Sequence, residues 1–343
     1  MQQLLGQADR ALGELNAFSQ LIPNIDFFIS MYVAKEATQS SRIEGTQTNI
    51  EDAFKDADDI LPEARDDWGE VQNYINAIQF AIKRLDAIPL SNRLLKETHE
   101  VLMQGVRGEN KRPGEFRQSQ NWIGVSLANA IFIPPHHDHI DDLMSDIEKF
   151  LHDEDIILSP LIKIAIAHYQ FETIHPFLDG NGRLGRLMIS LYFTSEKLLA
   201  QPALYLSDYF ERNKTAYVDH LMAIREGNHM QEWLIFFLHG IKETAASSIS
   251  VFKQIIAMKQ RIESEILPRF SSRRQDNVQR LMQYLYTQPV VDIKAIANHL
   301  GTTPNTANSL ISDFVEYGIL SEITMQRRNR LFIFQKYLSL FRK

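Results

Sequence analysis

Residues 175–186 read HPFLDGNGRLGR and lie between two strongly helical segments. Gly180, Asn181 and Gly182 tolerate backbone angles closed to most residues, so successive N–H groups can converge on one concavity. A helix beginning just after them adds its own unpaired N–H groups and the positive end of its dipole, which makes an anion cradle. Arg183 and Arg186, three residues apart on the first turn, share a face and can fork onto phosphate oxygens. Asp179 at the mouth is a hard oxygen ligand, suited to a Mg2+ that bridges phosphates. His175 ends the preceding helix across the loop, where a neutral imidazole can take a proton from an attacking hydroxyl. Cradle, metal ligand, two arginines and a base together describe a phosphoryl- or nucleotidyl-transfer site. Asp-Gly-Asn-Gly alone would also serve as an ordinary turn between antiparallel helices.

The longer string decides between these readings. It matches His-Pro-Phe-x-Asp-Gly-Asn-Gly-Arg-x-x-Arg, the signature loop of the Fic family, at every defined position. Nine fixed residues coincide by chance at ~10^-12 per starting point under uniform residue use. The chain therefore resembles a Fic protein adenylyltransferase. The resemblance implies a mostly α fold: a helical core with a small β-hairpin flap, joined here to a C-terminal winged helix-turn-helix. It also implies transfer of AMP from ATP to Ser, Thr or Tyr hydroxyls of a protein, with the chain itself among the candidate targets and Mg2+ as cofactor. On that likeness His175 is the general base and Asp179 the metal ligand. The ATP-binding stretch is Gly180, Asn181, Gly182, Arg183, Leu184, Gly185 and Arg186. A phosphotransferase branch of the family has lysine where this chain has Gly182, so AMP transfer is expected over phosphate transfer.

Residues 40–45 read SSRIEG. Ser40, Glu44 and Gly45 match the family's inhibitory-helix pattern, [Ser/Thr]-x-x-x-Glu-[Gly/Asn]. Ser40 and Glu44 are one helical turn apart, so the hydroxyl is expected to support the carboxylate. In relatives this glutamate pairs with the second arginine of the loop, here Arg186, in the space that the γ-phosphate needs. A buried pair of that kind costs ~3–5 kcal/mol to break from one side. The likeness also places Trp122, Ile123 and Gly124 on a flap edge that holds the target as an added strand. Tyr217 falls where the family has nucleoside contacts, and is expected either to stack on adenine or to be a half-buried helix tyrosine.

The elements that must position these groups follow from periodicity. Helical spacing of apolar residues runs through 71–88, 139–152, 160–174, 184–199 and 231–264. The acidic stretch 51–70 reads as a solvated linker or helix face. Residues 108–135 break the helical habit with Gly, Pro and Asn around two short apolar runs, which predicts a hairpin. Four segments result: 1–100, a Fic-associated helical region with the inhibitory helix; 101–245, the catalytic core; 246–275, a helical linker; and 276–343, the winged helix-turn-helix.

Composition narrows the function classes. The 343 residues include no cysteine, which excludes disulfides, thiolate metal sites and a cysteine nucleophile. The net charge of −7 argues against attraction of the whole chain to a polyanion. No basic leader or membrane-length apolar run is visible, so the expectation is a cytoplasmic protein with no membrane partner. Segment 275–343 has eight Lys/Arg against five Asp/Glu. Its presumed recognition helix, 304–317, has Asp313 and Glu316 but no basic residue. Asn305, Thr306 and Asn308 could read bases, with Arg327, Arg328 and Arg330 of the wing as phosphate anchors. DNA contact through 276–343 and a packing or partner-selecting role thus stay open together. So do two functions: an enzyme whose accessory domain selects targets, and a DNA-binding transcription regulator with a Fic domain as nucleotide sensor. Autoinhibited relatives are often dimers, so a homodimer is a further possibility.

Overall fold

The computed structural model describes residues 1–22, 25–106, 110–124, 126–324 and 329–342. In chain order the N-terminal part gives α1 (Gln2–Gln20), α2 (Asp26–Ile43), α3 (Arg65–Leu85) and α4 (Asn92–Leu102). The flap strands β1 (Ile123–Gly124) and β2 (Ala130–Phe132) precede α5 (Ile140–His152), α6 (Pro160–Ile174) and α7 (Asn181–Ser195). Then come α8 (Ser207–Arg212), α9 (Lys214–Gly227) and the long α10 (Met230–Arg261). The C-terminal part is α11 (Gln275–Thr287), β3 (Val290–Asp292), α12 (Ile293–Leu300), α13 (Pro304–Glu316), β4 (Ser321–Glu322), β5 (Leu331–Ile333) and α14 (Gln335–Leu338). The fold is mostly helical, as periodicity predicts. The stretch 51–70 is both linker and helix face: short turns end at Ala64 and the largely exposed start of α3 follows from Arg65.

Helices α6 and α7 are the spine of the core. Both are apolar round most of their circumference, so both are buried on nearly every face. Ser159 caps the start of α6 by accepting from the N–H of Leu161, and Pro160 fits the first turn, where no donor is needed. Against this spine packs an aromatic cluster of Phe210, Tyr217, Trp233 and Phe237, with Trp233 Nε1 donating to the Ala165 carbonyl at 2.9 Å. Each fully buried large side chain there contributes ~1.5–3 kcal/mol.

The segment boundaries are less clean than composition suggests. Position 100 lies within α4, and α10 passes position 245 without a break. Nor is the C-terminal part merely tethered. Phe28 of α2 meets the rings of Tyr286 and Tyr337 at 5.4 and 6.3 Å, and Tyr32 meets Phe341 at 5.3 Å. Gln288 donates to the Phe54 carbonyl, and Arg342 pairs with Glu51. Helix–strand–helix–turn–helix–hairpin is the observed order there, and its sheet runs β3-β5-β4, all antiparallel. Gly301 ends α12 in a left-handed turn (φ 64°), which a glycine adopts without penalty.

Candidate functional site

Helix α6 stops because His175 turns left-handed (φ 51°, ψ 60°) and Pro176 has no N–H to continue the ladder. The loop that follows is tied from three sides. Asn181 closes it from within: its Oδ1 accepts from Phe177 N–H and its Nδ2 donates to Phe177 O, both at 2.8 Å. Arg117 grips it from the flap side, Nε donating to His175 O at 3.0 Å and its own N–H to Pro176 O at 2.8 Å. Asn121 Nδ2 adds bonds to His175 O and Phe177 O at 3.2 and 3.0 Å. Beneath, the His99 ring stacks on Phe177 at 3.9 Å and bonds Asp179 O through Nε2 at 2.9 Å. Its Nδ1 accepts from Gly114 N–H, which assigns the proton to Nε2. Burial pushes His99 down to about 4, so this bridge stays neutral.

Only Gly180 uses the glycine-specific conformation expected of three residues. Its φ is 75°, and a Cβ there would stand 2.7 Å from Met103 Sδ. Asn181 and Gly182 are already helical. Their N–H groups and that of Arg183 have no partner within α7, so the anion cradle is the ordinary start of a helix. Leu184 and Gly185 depart from the expectation. Leu184 spends its N–H on Gly180 O, while Gly185 faces Phe171 and Glu172; both are buried and offer nothing to a nucleotide.

The two arginines are both buried and both engaged. Arg183 Nη1 meets Glu70 Oε2 of α3 at 3.2 Å, with Asp179 Oδ1 4.0 Å from its Nη2. Arg186 donates through Nε to Ser40 Oγ at 2.8 Å, and through Nη2 to Ser40 O at 2.9 Å and Glu44 Oε1 at 2.7 Å. Ser40 thus holds the guanidinium rather than the carboxylate, which corrects the sequence expectation. The pair is also only buried on one side: Arg186's side chain is 2% exposed, Glu44's 42%. Glu44 caps the C-terminal end of α2, where Lys214 Nζ bonds the Ile43 carbonyl. Its Oε1 lies 2.2 Å from where a Cβ on Gly182 would be, directly over the first turn of α7. Burial would raise this carboxyl, but the charge and hydrogen bond of Arg186 outweigh it and hold it below its ordinary value.

Burial pushes the His175 imidazole down to about 4, against the opposing pull of Glu44 and the Glu172 backbone. Glu172 behind it is pushed up to about 7 by burial. Asp179 has a half-exposed side chain whose Oδ1 accepts from Gly180 N–H at 2.6 Å, leaving the carboxylate open at the mouth. One such carboxylate beside an anion cradle fits a Mg2+ held mainly by phosphates and water.

A hairpin forms within 108–135, as the glycine and proline punctuation predicts. Ile123 pairs with Phe132 and Gly124 with Ala130, and Trp122 is 41% exposed. Gly124 (φ 131°) admits no side chain, since a Cβ would meet Asn129 O and Ile131 N at 2.9 Å. Arg225 of α9 lies over the Phe132 ring at 4.0 Å and fastens the hairpin down. Tyr217, in contrast, is a core residue. It is 3% exposed, stacks on Phe210 at 4.5 Å and bonds His168 Nε2 at 2.9 Å. No face of it is free for adenine.

Several residues of the site gave no signal in the sequence. Arg117 is one; the others are Asn121, His99, Glu70 and Glu36. Glu36, buried two turns before Glu44, receives Ser207 Oγ at 2.5 Å and Tyr74 O–H at 3.0 Å, which anchors α2. Arg117→Ala strips donors from the carbonyls of Ile174, His175, Ser119 and Pro135. It should lower stability by ~2–4 kcal/mol, read from denaturant unfolding; a loss under ~1 kcal/mol would mean the clamp is dispensable.

In the C-terminal part Asn305 and Thr306 are exposed at the start of α13. Asp313 pairs with Arg274. Arg330 is paired with Glu322 at 2.6 Å and lies over the Phe332 ring, so a phosphate there competes with that carboxylate. Arg327 and Arg328 lie outside the described residues.

Two family models match: "Fic/DOC family N-terminal" over residues 2–83 and "Fic/DOC family" over 89–193. Together they span more than half of the 343 residues. The protein adenylyltransferase Fic of Drosophila sechellia is 40% identical over 124 residues, 34% of this chain and 24% of that protein. That of Culex quinquefasciatus is 31% identical over 156 residues, 45% and 28% respectively. The chain therefore spans about a quarter of the length of these curated relatives. Among solved structures, a Fic family protein from Desulfovibrio desulfuricans has a TM-score of 0.57 at 19% identity, covering 96% of this chain and 95% of that one. A Fic domain containing signaling protein from Bacteroides thetaiotaomicron has 0.55 at 15% identity, over 72% and 94%. At those identities the likeness is one of fold.

Proposed function

The chain belongs to the Fic/DOC family, and from that premise and the site's geometry we propose that it transfers AMP from ATP to a hydroxyl side chain of a protein, restrained by Glu44. The observation that carries the reading is an imidazole that burial holds neutral, close enough to Glu44 to feel its charge, where that carboxylate lies over the first turn of α7 and covers the clamp Arg186. His175 takes the proton of the target hydroxyl. The hydroxyl oxygen forms a bond to the α-phosphorus, the bond from that phosphorus to the oxygen bridging to the β-phosphate breaks, and pyrophosphate leaves. The N–H groups of Asn181, Gly182 and Arg183 receive the phosphates, with Arg186 as clamp. Mg2+, held by Asp179, would neutralise phosphate charge when bound. Gly182, lacking a side chain, leaves over the first turn the room that Glu44 occupies here and that phosphates would take in its place. Trp122, Ile123 and Gly124 offer the edge along which a target segment lies extended.

The test is mass spectrometry of the protein and its digest after incubation with Mg2+ and each nucleoside triphosphate, wild type beside Glu44→Gly. Added AMP from ATP alone is the expected result; added phosphate, another nucleotide or no adduct would refute it. A DNA-bound regulator finds less support, because Arg330 is paired with Glu322 and Asp313 and Glu316 lie on the helix that would read bases. Among the described residues, no helix is long and apolar enough to cross a membrane.

Two further outcomes follow from the site. Arg186→Ala should impair ATP use and also release Glu44, so adding Glu44→Gly should restore little; full rescue would show that the two residues do not share a contact. In the Glu44→Gly background the acid limb of the pH–rate profile should lie at or below about 4 rather than near 6.5, because burial keeps His175 unprotonated down to there. Removing Glu44 takes away a pull towards higher values and moves the limb down, not up. A limb near 6.5 would place the base elsewhere. The same shift costs stability progressively as pH falls from 6.5 towards 4, since the unfolded imidazole accepts a proton that the folded one refuses.

A further inference from the structure

At the foot of the flap, between β2 and α5, His136, His137 and Asp138 bring three ligand-type atoms within 4.8 Å of one another. His136 Nδ1 lies 3.2 Å from Asp138 Oδ2, and His137 Nε2 lies 3.5 Å from Asp138 Oδ1. Two atoms on metal–ligand arms of ~2.1 Å at a tetrahedral angle stand ~3.4 Å apart. The two contacts reach different oxygens of Asp138, so a turn of the exposed carboxylate brings one oxygen beside both rings, within the 4.8 Å that the three ligand atoms already span. The rings are tilted by 37° with centroids 4.1 Å apart, so both imidazoles flank the same carboxylate.

Helix capping does not account for the arrangement. His136 Nδ1 accepts from Asp138 N–H at 3.4 Å, a weak cap that an ion on the same nitrogen would replace, and the cap leaves the placement of His137 unexplained. We propose that His136, His137 and Asp138 bind a borderline transition cation, of which Zn2+ is the representative, with water completing its coordination. Two imidazoles and a carboxylate select for Zn2+, Ni2+ or Cu2+ over the hard Mg2+ that Asp179 suits. The position gives such an ion a structural consequence. Pro135, one residue upstream, accepts from Arg117, and Arg117 also holds the carbonyl of His175. His137 further lines a cavity of about 460 Å³ with Arg117 and Gln118. An ion on these ligands fixes the exit of the flap strand beside the clamp of the catalytic loop.

The experiment is titration of the untagged full chain with Zn2+ against a chromophoric chelator, repeated with Co2+ to read its visible d–d bands. Wild type should take up one Zn2+ per chain. His136→Ala/His137→Ala should bind at least ~tenfold more weakly and lose the Co2+ bands, and Asp138→Asn, at an exposed position, should also weaken binding. Zn2+ should raise the melting midpoint of wild type but not of the double variant, with all midpoints alike when Zn2+ is absent. Failure of wild type to compete for Zn2+, or wild-type affinity in the double variant or in Asp138→Asn, would overturn the assignment. Should the double variant melt early without Zn2+, Asp138→Asn decides alone.

Discussion

His175→Ala should lower AMP transfer by ~10^2–10^4 while ATP affinity changes little, the usual range for loss of a positioned general base. The separation of the two effects is what makes the test sharp. The imidazole sits on the α6 side of the loop, whereas the phosphate-receiving groups are the N–H groups of α7 and the Arg186 guanidinium. The backbone of residue 175 is held through its carbonyl by Arg117 and Asn121, and that carbonyl remains in the alanine variant. Its left-handed φ of 51° costs alanine somewhat more than histidine, but these carbonyl bonds should hold the loop in shape. The measurement is label transfer from α-labelled ATP in the Glu44→Gly background, with nucleotide affinity by calorimetry on the same samples. Transfer within about tenfold of the parent would remove His175 from the role of base. Loss of ATP binding in proportion to transfer would do the same, by showing that the side chain serves the nucleotide.

What the sequence made legible was local. The loop 175–186 declares itself because Pro176, Gly180 and Asn181 act on their immediate neighbours, and the apolar period of 160–174 covers helix α6 to its last residue. The hairpin of the flap follows from glycine and proline punctuation. Long-range partners were invisible. A tyrosine at position 217 looks the same in sequence whether it faces adenine or, as here, the rings of Phe210 and His168. Ser40 and Glu44 share a helix face, but only the approach of α7 shows that the serine bonds Arg186 instead of the glutamate. Arg117 gave no signal, since an arginine in a polar loop reads as solvated until four carbonyls are found around it. The docking of the C-terminal part on α2 depends on Phe28 and Tyr32, whose ring partners Tyr286, Tyr337 and Phe341 lie far along the chain, where no local pattern points to them.

Glu44→Gly should raise adenylylation at least ~tenfold over a weakly active wild type. The carboxylate acts twice. It neutralises Arg186 at 2.7 Å, and its Oε1 overhangs Gly182 so closely that the space over the first turn of α7 is filled. Phosphates entering beside it are displaced, and a misplacement of ~1 Å at the reacting phosphorus costs ~10^2 in rate. Removal should be structurally mild. The residue caps the end of α2 with a half-exposed side chain, and what is lost is one charged hydrogen bond of ~1.5–3 kcal/mol. Meanwhile Arg186 keeps both bonds to Ser40, so the clamp stays aimed at the cradle instead of collapsing with its partner. That geometry separates this substitution from Ser40→Ala, which takes a bond from the arginine and leaves the glutamate in place; Ser40→Ala should therefore gain far less. Label transfer to the protein itself, compared among variants of matched melting midpoint, reads the difference. Equal labelling of wild type and Glu44→Gly would make residues 40–45 an ordinary helix end, and labelling of Ser40→Ala equal to that of Glu44→Gly would show that the restraint is a loosening of α2 rather than a carboxylate in the phosphate site.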